Sequence, residues 1–175
     1  VEFREDNFTI NKERLRALCG VLGELGIKWS CQARVNSLDT ETIKMMVGSG
    51  CKLVSCGFES GNDSTLKAID KGHTVDDIRR TVEQLNKHNL PYTGGFIVGL
   101  PNEGEKEIVN TIKIIKELQS PISRIPNKPV QFIGLPVSEL YFEVQEKGLV
   151  EYNWNDGEVL FCGTEKLTCK EVETL

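Results

Sequence analysis

The residues best able to do chemistry fall at the ends of short apolar runs. The stretch "LVSCGFESGND", residues 53–63, ends a strand-like run on one carboxylate, Glu59, between Phe58 and Ser60, and breaks at Gly61. An acid at the C-terminal end of a strand points into the mouth of a parallel α/β fold. There it can accept two hydroxyl hydrogen bonds, and a ribose cis-diol is the usual partner. Gly57 and Gly61 would clear space on either side. Other strand ends carry Glu5 and Asp6, then Arg34 and Asn36, then Gly99, Pro101 and Glu103. Taken singly, each reads as structural, because mouth ion pairs such as Glu59 with Arg34 are common. Taken together, four strand ends with polar or glycine signals point to a ligand site.

The stretch "GGFIVGLPNE", residues 94–103, carries three glycines in a strand, and each needs a reason. Close approach of a flat ring to the backbone is one, with Ile97 as its apolar contact. A β-bulge is another. A phosphate-cradling loop lacks its motif, because neither GxxxxGK[ST] nor GxGxxG occurs. His73 and His88 lie away from strand ends and read as solvated helix-surface residues. The six cysteines form no CxxC or CxxxC pair, so zinc and iron–sulfur spacings are missing. Cys19, Cys31, Cys51 and Cys56 read as small core residues in a reducing cytoplasm.

Strand and helix signals alternate along the chain. Leu15, Leu18, Leu22 and Leu25 stripe a helix over 12–25, with Asn11 as its cap. A strand at 27–35 leads to a helix over 40–48 that turns Ile43, Met46 and Val47 inward. A strand at 52–59 precedes a short helix near 64–70 and a longer one over 75–88, capped by Thr74 with Asp77 at the box position. Then come a strand at 92–100, a helix over 104–118, a strand at 130–135 and a helix over 138–148. This β-α repetition predicts a parallel sheet with right-handed crossovers. Beyond residue 150 the pattern changes to a tail, 151–175, with a turn signal at Asp156-Gly157 and a helix beginning at Thr168.

The strands read as two-faced. Trp29, Cys31 and Ala33 alternate with Ser30, Gln32 and Arg34, and Val54, Cys56 and Phe58 alternate with Ser55, Gly57 and Glu59. A parallel strand covered on both faces is continuously apolar instead. The alternation favours a barrel whose apolar faces meet outer helices and whose small, polar faces line an open lumen. The rival is an open Rossmann-like sheet.

At 175 residues the chain fits one domain with a sizeable core. It is 39% hydrophobic and 27% charged, with a net charge of −5 and both signs interspersed, which argues against nucleic-acid binding. No apolar run approaches the ~20 residues that span a bilayer, so no membrane association is expected. The opening "VEFREDNF" starts in mid-strand and carries no signal-peptide pattern.

Set side by side, "FREDNFTINKERLRALC", "GIKWSCQARV", "GSGCKLVSCGFESG", "KGHT", "GGFIVGLPNE" and "SELYFEVQEKGLV" resemble the radical S-adenosylmethionine superfamily. The likeness is to its cobalamin-linked branch, which includes the anaerobic magnesium-protoporphyrin monomethyl ester cyclase and related methyltransferases. The resemblance implies a partial (β/α)6 barrel over residues 1–150, supplying about five of six βα units. It implies a [4Fe–4S] cluster on a CxxxCxxC loop that lies outside this chain. Electron transfer from that cluster cleaves S-adenosylmethionine to a 5′-deoxyadenosyl radical. By the same resemblance, Glu5 and Asp6 face the methionine amino group and Arg34 its carboxylate. Glu59 with Ser60 meets the ribose, and Gly95, Ile97 and Gly99 lie beside adenine.

Lacking the cluster loop, the chain alone should be inactive, and "FIGLPVSELY" departs from the branch's "PYPGTxLY" pattern. The parent protein is expected to methylate or oxidatively cyclise a small-molecule substrate, with cobalamin in an upstream domain and a flavodoxin or ferredoxin as reductant, in the cytoplasm. A non-catalytic nucleotide-binding or scaffold barrel is the alternative. The open barrel edge should make the chain self-associate.

Overall fold

The computed structural model describes residues 1–126, 128–136, 138–154 and 159–175. Five strands form one parallel sheet: β1 (Glu2–Phe3), β2 (Trp29–Ala33), β3 (Cys51–Glu59), β4 (Tyr92–Val98) and β5 (Val130–Gln131). Their spatial order follows their chain order. A Rossmann-like sheet reverses its order at a switch point and gains helices on both faces. Here every crossover runs the same way, so right-handedness places the helices on a single face. These are α1 (Lys12–Glu24), α2 (Thr40–Gly48), α3 (Asp63–Ala68), α4 (Val75–Lys87) and α5 (Glu105–Glu117). The arrangement is the wall of a (β/α) barrel.

Burial separates the two faces of the wall. Trp29, Cys31, Ala33, Val54, Cys56, Phe58, Tyr92, Phe96 and Val98 are buried beneath the helices. On the other face Gln32, Gly57 and Gly95 are exposed, and Ser30, Ser55, Thr93 and Ile97 are half-buried. The alternation in the sequence is thus the difference between helix side and lumen.

Local signals set the helix starts. Asn11 accepts from the Arg14 amide and Asp39 from the Thr42 amide, and Thr74 and Asp77 form a reciprocal capping box. The Lys12 ammonium and the Thr42 amide hold the Asp39 carboxyl down at about 2, and the Thr74 hydroxyl and amide do the same for Asp77. A depressed carboxylate stabilises the fold above its ordinary pKa and loses that contribution as pH falls through the folded value. Stability should therefore decline from about pH 4 towards pH 2. Asp39→Asn and Asp77→Asn should each flatten that decline in thermal melts. Both groups are partly solvated, so each effect is about 1 kcal/mol, the ordinary worth of a helix cap.

Three details depart from the sequence reading. Val47 is exposed, because Ile43 and Met46 already fill the contact beneath α2 and the next residue turns about 100° away. Leu25 is 66% exposed, because it lies past the last turn of α1 as its C-cap, and Cys19 takes the buried place beside Leu15 and Leu22. The strand expected over 130–135 is split. Val130 and Gln131 pair in parallel with Ile97 and Val98, whereas β6 (Ile133–Gly134) pairs antiparallel with β8 (Val159–Cys162).

The tail contains strands that the sequence reading did not assign. β7 (Val150–Trp154) and β8 lie antiparallel, with Tyr152 stacked on Phe161 at 4.5 Å between ring centroids. The turn signal at Asp156-Gly157 lies outside the described residues. Helix α6 (Glu139–Glu146) brings Val144 onto Leu100, Phe132, Leu160 and Cys162. Helix α7 (Cys169–Thr174) starts at its Thr168 cap and packs Val172 on Val98 and Ile108. Among the described residues no helix is long and apolar enough to cross a membrane.

Candidate functional site

A cavity of about 500 Å³ opens on the lumen side at the C-terminal ends of β1, β2 and β3. Asp6, Gln32, Arg34, Ser55, Gly57 and Glu59 line it, and Lys71 and His73 reach it from the loop between α3 and α4. Asp6, Arg34 and Glu59 are thus brought together from three successive strand ends.

Glu59 sits in a left-handed backbone conformation, φ 67°, where a β-bulge shifts the register against β4. The Ser60 amide donates to the Phe58 carbonyl at 2.9 Å, closing a three-residue γ-turn around Glu59. The left-handed region is strained for any residue with a Cβ, and such strain concentrates at functional sites. Phe58 stays fully buried on the helix side while the Glu59 side chain, 14% exposed, turns into the cavity. Its Oε1 lies over Gly57, where an added Cβ would stand 2.3 Å away. Gly57 therefore makes room for the carboxylate.

The ion-pair partner of Glu59 is Lys71, at 2.9 Å, and not Arg34. The Arg34 side chain is exposed at the cavity and makes no ion pair or hydrogen bond among the described residues. Asn36 donates to the Gly72 carbonyl at 2.7 Å and so ties the end of β2 to the same loop.

The remaining expected residues do not line this cavity. Glu5 points outward and pairs with Arg14 at 2.6 Å. Ser60 is fully buried towards α5, with its hydroxyl 3.3 Å from Glu103 and 3.4 Å from Thr111. Gly61 also serves α5, since a Cβ there would meet the Thr111 backbone at 2.7 Å, so it does not clear the mouth. Gly95 stands opposite Gly57 in the register, with nothing within 4 Å of an added Cβ. Ile97 is half-buried against the cluster around Leu100 and Phe132. Gly99, at φ 81°, faces Val172 of α7. Glu103 is fully buried, and its carboxylate accepts from the amides of Gly99 at 2.9 Å and Leu100 at 3.3 Å.

Two residues of the cavity go beyond the sequence expectation: Lys71 carries no strand-end signal, and His73 is not on a solvated helix surface. His73 is 8% exposed, with Nε2 3.4 Å from the Phe58 carbonyl. The available signal was the glycine between them: Gly72 has φ 70°, which folds the loop back over the strand ends. His88 is not fully solvated either, because its Nε2 is buried and has no hydrogen-bond partner among the described residues.

The cavity offers carboxylates and cations in one small polar space, beside a floor of facing glycines. That donor set suits a nucleoside joined to an amino-acid group: a carboxylate for a diol, a carboxylate for an amine, a guanidinium for a carboxylate. It does not suit an iron–sulfur cluster. All six cysteines are buried, and among the described residues no group of three or more His, Cys, Asp or Glu could hold a metal ion.

The fold and site define a barrel wall with a nucleoside-sized mouth at its strand ends. Over residues 3–115 the sequence matches the family model of the Radical SAM superfamily, and the chain belongs to that family. It is 35% identical over 120 residues to an uncharacterized methyltransferase of Pyrococcus horikoshii, covering 67% of this chain and 26% of that one. It is 28% identical over 157 residues to bacteriochlorophyllide d C-12(1)-methyltransferase of Chlorobaculum tepidum, covering 87% and 33%.

Among solved structures, the cobalamin-dependent S-adenosylmethionine radical enzyme OxsB aligns with a TM-score of 0.74 at 16% identity, over 94% of this chain and 32% of that one. The radical S-adenosylmethionine methyltransferase TsrM of Kitasatospora setae aligns at 0.70 and 13% identity, over 87% and 32%. These structures share the partial-barrel fold. The chain spans about a quarter to a third of the length of the curated relatives it matches.

Proposed function

We propose that the cavity binds S-adenosylmethionine, and that the whole protein cleaves this cofactor reductively to drive radical chemistry on a small-molecule substrate. The observation that carries the reading is the convergence of Asp6, Arg34 and Glu59 on one cavity of about 500 Å³. In this reading Asp6 meets the amino group and Arg34 the carboxylate. Glu59, oriented by Lys71, meets the ribose hydroxyls. The open strip at Gly57 and Gly95 lets a flat base approach the backbone. When bound, the cofactor supplies a radical able to abstract hydrogen. The cluster that cleaves it and any cobalamin must be held by residues other than these. Methylation is favoured over oxidative cyclisation by the methyltransferase relatives, which also disfavour a non-catalytic nucleotide-binding or scaffold barrel.

The test is calorimetric titration of the full-length protein with S-adenosylmethionine. Glu59→Ala should weaken binding by about 1–3 kcal/mol, the loss expected when charge-assisted hydrogen bonds to hydroxyls disappear. Unchanged affinity would take Glu59 out of the site.

A cytoplasmic location fits six free thiols, and a flavodoxin or ferredoxin would supply the electron. The isolated 175-residue chain should also self-associate, because β1 and β5 are edge strands and Val130 is 65% exposed. A clean monomer in sedimentation at high concentration would contradict this.

A further inference from the structure

The loop joining α3 to α4 does more than cap a helix. Two of its residues, Asp70 at φ 50° and Gly72 at φ 70°, are left-handed, which folds it back across the ends of β2 and β3. Three polar tethers fasten it there. Asn36 holds the Gly72 carbonyl, Lys71 holds the Glu59 carboxylate, and His73 reaches the Phe58 carbonyl.

The third tether is the informative one. A carbonyl can only accept, so the His73 Nε2 carries a hydrogen and donates it. The acceptor is the same oxygen that closes the γ-turn, since the Ser60 amide also donates to it. That turn carries Glu59 in its left-handed conformation. An unsupported turn of this kind relaxes towards extended backbone, which would re-aim the side chain at its centre.

On the reading that this cavity binds S-adenosylmethionine, we propose that His73 is a positioning residue. Its Nε2–H fixes the Phe58 carbonyl, and through it the turn that aims the Glu59 carboxylate at the ribose. His73 need not touch the cofactor to do this. Its burial excludes water that would otherwise compete for the carbonyl.

The experiment titrates the full-length enzyme with S-adenosylmethionine by calorimetry and follows thermal unfolding in parallel. His73→Phe keeps the volume and removes the donor, and should weaken binding about tenfold, the worth of one buried hydrogen bond. His73→Gln places an amide N–H near the position of Nε2 and should restore affinity to within about threefold of wild type. The double variant Glu59→Ala/His73→Phe should bind no more weakly than Glu59→Ala alone, because His73 acts through Glu59. Where the phenylalanine variant does not fold, His73→Asn replaces it, being one carbon too short to reach.

Wild-type binding with His73→Phe unaffected overturns the inference alone. Failure of glutamine to rescue does the same, as does additivity in the double variant. No binding by the wild-type enzyme overturns the cofactor reading and this inference with it.

Discussion

Gly94→Ala should destabilise the protein by about 3 kcal/mol, at the upper end of what overpacking a core does, while Gly95→Ala, one residue along, should leave stability nearly unchanged. A Cβ on Gly94 would stand 2.1 Å from Cδ2 and 2.2 Å from Cε2 of Phe58. That ring is fully buried and tilted against Phe96 at 5.5 Å between centroids, so it has no free space to retreat into. Relief requires moving β4 away from β3, which strains the ladder between them. Gly95 points the other way, into the lumen, where an added Cβ meets nothing within 4 Å. Relieving the backbone entropy of a strand glycine even favours alanine there, by up to about 1 kcal/mol. The same methyl stands on the glycine strip proposed to lie under a flat base, so Gly95→Ala should weaken cofactor binding without unfolding anything. Denaturant unfolding and titration of both variants separate the two effects. Equal stability losses at 94 and 95 would mean that the two faces of β4 are not as different as their surroundings show.

Glu103→Ala should cost about 3 kcal/mol, since a buried donor stripped of its acceptor forfeits about 1–3 kcal/mol and more than one is stripped here. The amides of Gly99 and Leu100 and the hydroxyl of Ser60 all donate to this carboxylate. Gly99 is left-handed, and the carboxylate clasps the chain where it leaves β4, before α5 begins. Loss of the clasp should also loosen Ser60, next to Glu59. Burial pushes the Glu103 carboxyl above its ordinary range, and the amides of Leu100 and Gly99 and the Ser60 hydroxyl offset that only in part. An acid with a raised pKa contributes fully below its ordinary value, and that contribution is lost as pH rises through the folded value. Wild-type stability should therefore fall on the alkaline side of the ordinary glutamate range. Glu103→Gln, which cannot ionise, should lack that slope. A slope common to both proteins would assign it to another group.

These two residues mark the limits of reading the chain without its fold. The helix starts at Asn11, Thr74 and Thr168 and the two-faced strands were legible, because caps and period-two alternation act between residues a few positions apart. The same alternation separated barrel from open sheet, because it records which side of each strand is covered. Asp6, Arg34 and Glu59 could be gathered for a related reason: strand ends in a parallel sheet lie side by side.

Partners were not legible. Whether Glu59 meets Arg34 or Lys71 depends on how far a six-residue loop folds back. Whether Ser60 faces the mouth or α5 depends on the single γ-turn before it. Glu5 was a neighbour of Asp6 in sequence, yet it turned outward to Arg14. The split of the expected fifth strand at Phe132 needed β8, almost thirty residues later, to be in place beside Ile133. Contacts of that kind form through chain segments whose closing depends on everything packed beneath them. Local chemistry sets each element, and the long-range packing of those elements sets which charges meet.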